Sequence, residues 1–156
     1  MKATDSPGIY FPPPLIYAVI FLAAVFIQKK IPIDDHFFKS RMAPVIGILF
    51  LLLAVYFGTR SMNQFIQTKN TIVPNKPAAS LQTTGVYHST RNPMYLALVM
   101  LYLGLSCLIG NWWNIILLPL LLLIIQEYII KKEEKYLVRK FGQEYIDYRH
   151  RVRRWL

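Results

Sequence analysis

The apolar residues of this 156-residue chain are gathered into four blocks, at about residues 11–28, 43–60, 93–110 and 113–130. A soluble core would spread such residues evenly, whereas a bilayer requires continuous apolar helices of roughly 20 residues. We therefore predict an all-α fold, an integral membrane bundle of about four transmembrane helices. A cytoplasmic amphipathic helical cap over residues 131–156 completes a single membrane domain, 1–156.

The cap carries apolar side chains at steps of three and four beside a basic face, which is typical of an amphipathic surface helix. These side chains are Tyr136 or Leu137, Phe141, Tyr145, Tyr148 and Val152. Gly142 is expected to end or bend the helix. Such a segment would cover the helix ends that face the cytoplasm.

The basic residues are distributed unevenly. Formal net charge is +10, from 18 Lys and Arg against 8 Asp and Glu, and nine of the 18 follow Ile130. Beside membrane spans, this tail indicates positive-inside charge facing anionic lipid rather than nucleic-acid binding. The turn at 110–114 contains no Lys or Arg. We predict that the tail, the 59–92 connection and the N-terminus face the cytoplasm, although basic residues between 29 and 41 oppose this.

Metal binding and secretion are not indicated. Cys107 is the single cysteine and the three histidines are far apart in the sequence, so we predict no metal site. The chain begins without a basic segment, an apolar stretch and a small-residue cleavage site in succession, which predicts that the first apolar block is a retained span.

Asn92 and Pro93 begin the third block. Asn is a strong N-cap and Pro suits the first helical position, so the pair predicts a helix start. Arg91, beside the free N–H groups of that helix, would make an anion site. Taken alone, Arg91 is better explained as a headgroup anchor, and Tyr87 and Tyr95 as interfacial aromatic residues.

Glu133 and Glu134 follow the fourth block. The short turn makes the third and fourth spans an antiparallel hairpin, so we expect Arg91, the two tyrosines and the two glutamates to converge in one pocket. Arg91 and helix N–H groups suit a carboxylate, the glutamates suit an ammonium or hydroxyls, and the tyrosines suit a sulfonium. S-adenosylmethionine carries all of these groups. The alternative is that both glutamates pair with neighbouring lysines on a solvated helix.

The segments GVYHSTRNPMY and EEKYLVRKFGQEYIDYRHRVRRW together resemble the isoprenylcysteine carboxyl methyltransferase and phospholipid methyltransferase family. The family pattern is G-x-Y, R-H-P-x-Y, a hairpin, E-E-x-x-L and F-G-x-x-Y-x-x-Y. The resemblance covers about residues 76–155 and implies a membrane methyltransferase that uses S-adenosylmethionine on a lipophilic or lipidated acceptor. It implies cofactor contacts at Leu81, Gln82, Tyr87, Asn92, Pro93, Met94, Tyr95, Glu133 and Glu134. Arg91 and Glu133 are the candidate catalytic residues.

Two positions differ from the family pattern. Asn92 replaces the family's histidine, which retains a hydrogen-bonding group without the imidazole. Ile129 stands where eukaryotic prenylcysteine enzymes carry an arginine that contacts the substrate carboxylate. The second difference argues against prenylcysteine as the acceptor. It does not decide between the two acceptor classes, so a prenylcysteine-type carboxylate and a phospholipid amine both stay open. The oligomeric state is not indicated.

Two other functions are compatible with the sequence. The F-G-x-x-Y-x-x-Y pattern also resembles the end of membrane sterol reductases, which use NADPH. Those proteins are larger, and the phosphates of NADPH need more basic contacts than Arg91 supplies. A non-enzymatic scaffold that binds anionic lipid through its basic tail is the third interpretation. A scaffold, however, does not require paired motifs across the hairpin.

Overall fold

The structure is a computed structural model that describes residues 6–68, 70 and 77–156. Within these residues the regular structure is helical, which confirms the predicted all-α class. The helices are α1 Pro13–Lys30, α2 Met42–Gln67, α3 Pro93–Ile109, α4 Trp112–Ile125, α5 Lys131–Phe141 and α6 Gln143–Arg151. A π-helical turn, Gln126–Ile130, joins α4 to α5, and short 3₁₀ turns cover His36–Lys39 and Gly85–His88.

Three helical stretches are long and apolar enough to cross a membrane, namely Pro13–Lys30, Met42–Gln67 and the continuous stretch Trp112–Phe141. The third predicted span, α3, is apolar but has only 17 residues. α2 continues beyond the predicted end at residue 60, to Gln67. Part of the predicted 59–92 connection, residues 69 and 71–76, lies outside the described residues.

The hairpin between α3 and α4 is built by two polar positions. Gly110 ends α3 with a φ of 74°, a left-handed conformation that glycine adopts without a side-chain clash. Asn111 caps α4, because its side-chain oxygen accepts a hydrogen bond from the Trp113 backbone N–H at 2.9 Å. These caps turn the chain sharply, so the start of α3 and the end of α4 come to the same end of the bundle.

α3 is the central helix. α1 packs against α3 and α4, whereas α2 packs antiparallel along α3. The α2–α3 contact is close where Gly104 faces Gly47, since a Cβ built at Gly104 would lie 2.9 Å from the Gly47 carbonyl oxygen. Such contacts between small residues let helix backbones approach in membranes, where packing rather than water exclusion drives association.

We therefore expect Gly104→Ala to destabilise the fold by about 1–3 kcal/mol, because the added methyl group forces α2 and α3 apart. Gly58→Ala is the matched control in α2, since its Cβ would meet Ala97 at an ordinary 3.7 Å. Both changes carry the same gain in helix propensity. Thermal unfolding in detergent measures the difference, and equal midpoints for the two variants would contradict the close-packing interpretation.

Gly142 divides the C-terminal segment into α5 and α6, with a φ of 56°. α6 folds back so that Tyr145, Tyr148 and Val152 form a small core with Leu137 and Phe141. Leu81 and Val138 also contact this core. The predicted stripe is therefore the inner face of a cap, and it packs on the segment that precedes α3.

Candidate active site

A cavity of about 690 Å³ lies where the start of α3 meets the start of α5 and the α6 part of the cap. Its wall also includes the C-terminal part of α2 and the prolines that begin α1. All ten residues that the sequence singled out line this one cavity: Leu81, Gln82, Tyr87, Arg91, Asn92, Pro93, Met94, Tyr95, Glu133 and Glu134. The hairpin topology explains the convergence, since it brings residues about 40 positions apart to one level.

Glu134 is held between two guanidinium groups. Its Oε1 lies 3.1 Å from Nη1 of Arg91, and Arg154 donates to both carboxylate oxygens, at 3.0 Å and 2.7 Å. The side chains of Arg91 and Glu134 are only 9% and 12% exposed. Arg91 also donates to the hydroxyl of Tyr145, at 3.4 Å. The buried carboxylate of Glu134 compensates the charge of both guanidinium groups and fixes their orientation, so the cluster is rigid.

Glu133 has a different environment. The hydroxyl of Tyr95 donates to its Oε1 at 2.8 Å, and no lysine contacts it among the described residues. Lys131 instead pairs with Glu127 at 2.7 Å on the solvent side. The alternative that both glutamates pair with the neighbouring lysines is therefore wrong for this fold.

Burial raises the pKa of Glu133 to about 7, an effect that the hydrogen bond from Tyr95 opposes and the nearby Glu134 charge reinforces. Tyr87 also faces this carboxyl, and its own pKa is raised chiefly by burial. The cavity thus contains one carboxylate neutralised by arginines and a second carboxyl group that titrates near neutrality.

Arg91 has a buried Nε without a hydrogen-bond partner among the described residues. Pro93 occupies the first position of α3, so the N–H groups of Met94 and Tyr95 also lack an intrahelical acceptor. Buried donors of this kind cost free energy unless something accepts from them. Together they are donors that could hold an anionic group at the foot of α3.

Comparison with known proteins identifies the family. The sequence model described as "Phospholipid methyltransferase" matches residues 42–144. The chain belongs to the phospholipid methyltransferase family. The family resemblance inferred from the two motif segments is thereby confirmed, and with its long apolar helices the chain is an integral membrane protein.

Three relatives are similar in sequence. A protein-S-isoprenylcysteine O-methyltransferase of Saccharomyces cerevisiae is 29% identical over 133 residues, which cover 84% of this chain and 56% of the relative. One of Schizosaccharomyces pombe is 35% identical over 105 residues, 66% of this chain and 44% of the relative. An uncharacterized protein of Haemophilus influenzae is 41% identical over 66 residues, 40% of this chain and all of that protein.

The chain spans about half the length of the two yeast methyltransferases that it matches. No solved structure matches it. Its similarity to the two yeast methyltransferases therefore rests on sequence, and the cavity geometry described above is that of this chain.

Asn92 occupies the N-cap position as predicted, with Pro93 first in the helix, but its side chain does not cap α3. Its amide donates instead to the carbonyl of Arg154, at 2.8 Å. The expectation of a side-chain cap is wrong because this tertiary acceptor lies within reach. A histidine N–H, the group expected here from the phospholipid methyltransferase pattern, would suit the same carbonyl, so asparagine preserves the donor.

Residues 153 and 154 are part of the site and were not predicted. The backbone N–H of Arg91 donates to the carbonyl of Arg153 at 3.0 Å, and the hydroxyl of Thr90 donates to that of Arg154 at 3.1 Å. The sequence suggested only a basic surface tail. The signal that would have found them is Trp155, an apolar residue that ends the basic run and packs against the core.

The segment before α3 forms the remaining wall. Gln82 is buried and donates to the Ser80 hydroxyl at 2.9 Å, and the ring of Tyr87 stacks on Phe65 of α2 with centroids 5.9 Å apart. Tyr148 of the cap donates to the Tyr87 carbonyl at 2.6 Å.

Within the described residues, no group of three His, Cys, Asp or Glu side chains is placed to hold a metal ion.

Proposed function

We propose that this chain is a membrane methyltransferase that binds S-adenosylmethionine in the cavity and acts on a lipid-like acceptor. The observation that carries the proposal is the meeting of Arg91 and the two glutamates in one cavity, where the Nε of Arg91 has no partner among the residues that the structure describes. The cavity volume, about 690 Å³, lies within the 300–1,000 Å³ typical of small-molecule sites. Membership of a methyltransferase family supports the choice of donor.

The residues present fit the donor. Arg91 and the N–H groups at the start of α3 would donate hydrogen bonds to its carboxylate, Glu133 would accept from its ammonium or ribose hydroxyls, and the faces of Tyr87 and Tyr95 would lie against its cation. Glu134 keeps Arg91 oriented. When bound, S-adenosylmethionine supplies an electrophilic methyl group. The remaining designated contacts, Leu81, Gln82, Asn92, Pro93 and Met94, would shape the walls.

Apolar walls favour a lipophilic acceptor. α2 contributes Gly58, Met62 and Phe65 to the cavity, and α1 contributes its initial prolines. Since these helices pack on different partners within the bundle, we propose that the acceptor enters from the bilayer between them. The protein then acts by holding the reacting atoms in line and by excluding water, which are the main requirements of methyl transfer.

A phospholipid amine suits this site better than a carboxylate. Ile129, at the position of the substrate arginine in eukaryotic prenylcysteine enzymes, is 2% exposed in the apolar core and offers no charge. An amine must lose a proton before it attacks, and Glu133, whose pKa is about 7, is poised to accept one near neutral pH. Arg91 and Glu133 are therefore the proposed catalytic residues.

The basic cap and tail support a cytoplasmic location for the cavity, because positive charge is retained on that side of the membrane. The N-terminal prolines border the same cavity, so an even number of crossings would put both segments in the cytoplasm. The proposed partners are the acceptor and membrane lipids.

The test is incubation of the reconstituted protein with methyl-labelled S-adenosylmethionine in bilayers that contain phosphatidylethanolamine or a prenylated cysteine. We expect label in the extracted lipid that alkali does not release as volatile methanol, since an N-methyl group resists alkali whereas a methyl ester is hydrolysed to methanol. Alkali-labile label would transfer the assignment to a carboxylate acceptor. Absence of label in both arms, or tighter binding of NADPH than of S-adenosylmethionine, would contradict the proposed function.

A further inference from the structure

A second concavity, of about 460 Å³, lies on the side of α5 turned away from Glu133. Lys131, Lys135 and Arg139 are spaced by four residues, so they share one face of this helix. α6 and the segment after it complete the groove. Its basic residues are Lys131, Lys135, Arg139, Arg149 and Arg154. We call this surface the basic groove.

The positive charge in the basic groove is poorly compensated. Glu134 is the acidic residue that lines it, and its two oxygens are already shared between Arg91 and Arg154. Lys131 has Glu127 as a partner. Lys135, Arg139 and Arg149 have no acidic partner among the described residues. Several like charges around one concavity repel each other, which favours a bound anion.

The position of the groove identifies the kind of anion. Lys131 directly follows Ile130, the last residue of the fourth apolar block, and a lysine at that position indicates that the groove begins at the edge of the hydrocarbon region. From Lys131 to Arg139 the helix rises about 12 Å, enough to cross the headgroup layer. Val138 adds an apolar contact in the same groove. A phosphate on a lipid headgroup is held at this level by its own acyl chains.

We propose that the basic groove binds the phosphate of a phospholipid whose headgroup is negatively charged overall. A zwitterionic lipid offers the same phosphate but also brings an ammonium group among the lysines and arginines, so a lipid such as phosphatidylglycerol is preferred. The proposal does not depend on methyl transfer, because the groove lies outside the cavity and needs neither donor nor acceptor.

The groove and the cavity share a wall. Glu134 lines both, and Arg154, which borders the groove, donates to it. A lipid phosphate at Arg154 would therefore lie one side chain away from the carboxylate that orients Arg91. A lipid bound in the basic groove would thus be linked to Arg91 in the cavity through Arg154 and Glu134.

The test is native mass spectrometry of the full chain released from mixed bilayers of phosphatidylglycerol and phosphatidylcholine. We expect the wild type to retain phosphatidylglycerol preferentially, and Lys135→Ala/Arg139→Ala to lower that preference roughly thirtyfold, since each of the two basic residues contributes about fivefold at an anionic surface. Both side chains are exposed, so the fold is unaffected. The control variant Lys29→Ala/Lys30→Ala removes the same amount of charge at the C-terminal end of α1, which is the end remote from the cavity. It should retain the preference.

Equal preference in the wild type and the groove variant would overturn the proposal. A loss of the same size in the Lys29/Lys30 control would also overturn it, since the effect would then follow total charge. In a further arm, glycerol phosphate is added to the wild type. Displacement of the lipid at equal concentration would assign the groove to soluble phosphates instead of lipid.

Discussion

Replacing Glu133 by glutamine is expected to weaken the binding of S-adenosylmethionine by about tenfold or more at neutral pH and to remove its pH dependence. Glutamine retains the shape of the side chain and can still accept the hydrogen bond from Tyr95. What it loses is the negative charge, and a hydrogen bond to a charged group is worth about 1.5–3 kcal/mol. The fold should therefore survive while recognition of the donor's cationic groups fails.

The pH dependence follows from the raised pKa of Glu133, about 7 in the free protein. Below this value the carboxyl group is increasingly protonated and uncharged, so it attracts a cation less. Affinity in the wild type should fall as the pH drops below about 7, approaching tenfold per unit, and level off above it. The groups that face Glu133 are Tyr87, Tyr95 and Glu134. Burial raises the pKa of Tyr87, so that hydroxyl stays neutral throughout.

Equilibrium binding from about pH 5.5 to 7.5 measures both effects, and the titration of the ligand itself is common to all proteins compared. Glu127→Gln is the control on the same continuous helix, because Glu127 is exposed and pairs only with Lys131. A wild-type profile as flat as that of Glu133→Gln would exclude Glu133 as the group that recognises the cation.

Replacing Glu134 by alanine is expected to lower the free energy of unfolding by about 3 kcal/mol. The substitution leaves the guanidiniums of Arg91 and Arg154 close together without their shared counter-charge. Removing one partner of a buried ion pair costs about 3–5 kcal/mol, and the lower value applies because the Arg154 side chain is 28% exposed. At this chain length the unfolding midpoint should fall by about 9 °C.

Thermal unfolding in detergent measures this effect, and Glu127→Ala is the control. Its ion pair with Lys131 has both side chains 46% exposed, so its loss should cost less than about 1 kcal/mol. A midpoint for Glu134→Ala within the range of the control would show that Arg91 and Arg154 do not depend on this carboxylate.

Much of the fold follows from local sequence rules. Apolar blocks define the helices, Gly110 and Asn111 define the hairpin, and Gly142 divides the cap. The π turn and the extension of α2 to Gln67 were not predicted, since neither changes the hydrophobic pattern. Both depend on packing between elements, which periodicity within one element does not report.

The convergence of Arg91, two tyrosines and two glutamates was predicted because a tight hairpin fixes which residues share a level, whereas the other predicted contacts came from the family resemblance. The partners of those residues were harder to predict. Asn92 donates to a backbone carbonyl 62 positions away, and any residue type provides a carbonyl. Arg154 was indistinguishable from its basic neighbours until the fold brought it to Glu134. Contacts to backbone groups over long separations leave little trace in a single sequence.

The ionic cluster of Arg91, Glu134 and Arg154 has a consequence for how the protein matures. The apolar helices can enter the bilayer one by one, since each satisfies its own backbone hydrogen bonds. The cluster joins segments that are distant in the chain, and such contacts form late. Insertion and assembly of the site are thus separate events. Glu134→Ala should therefore accumulate in the membrane at the normal level while a larger fraction of it lacks the assembled cavity, so the amount of protein in the membrane does not report the amount with a formed site.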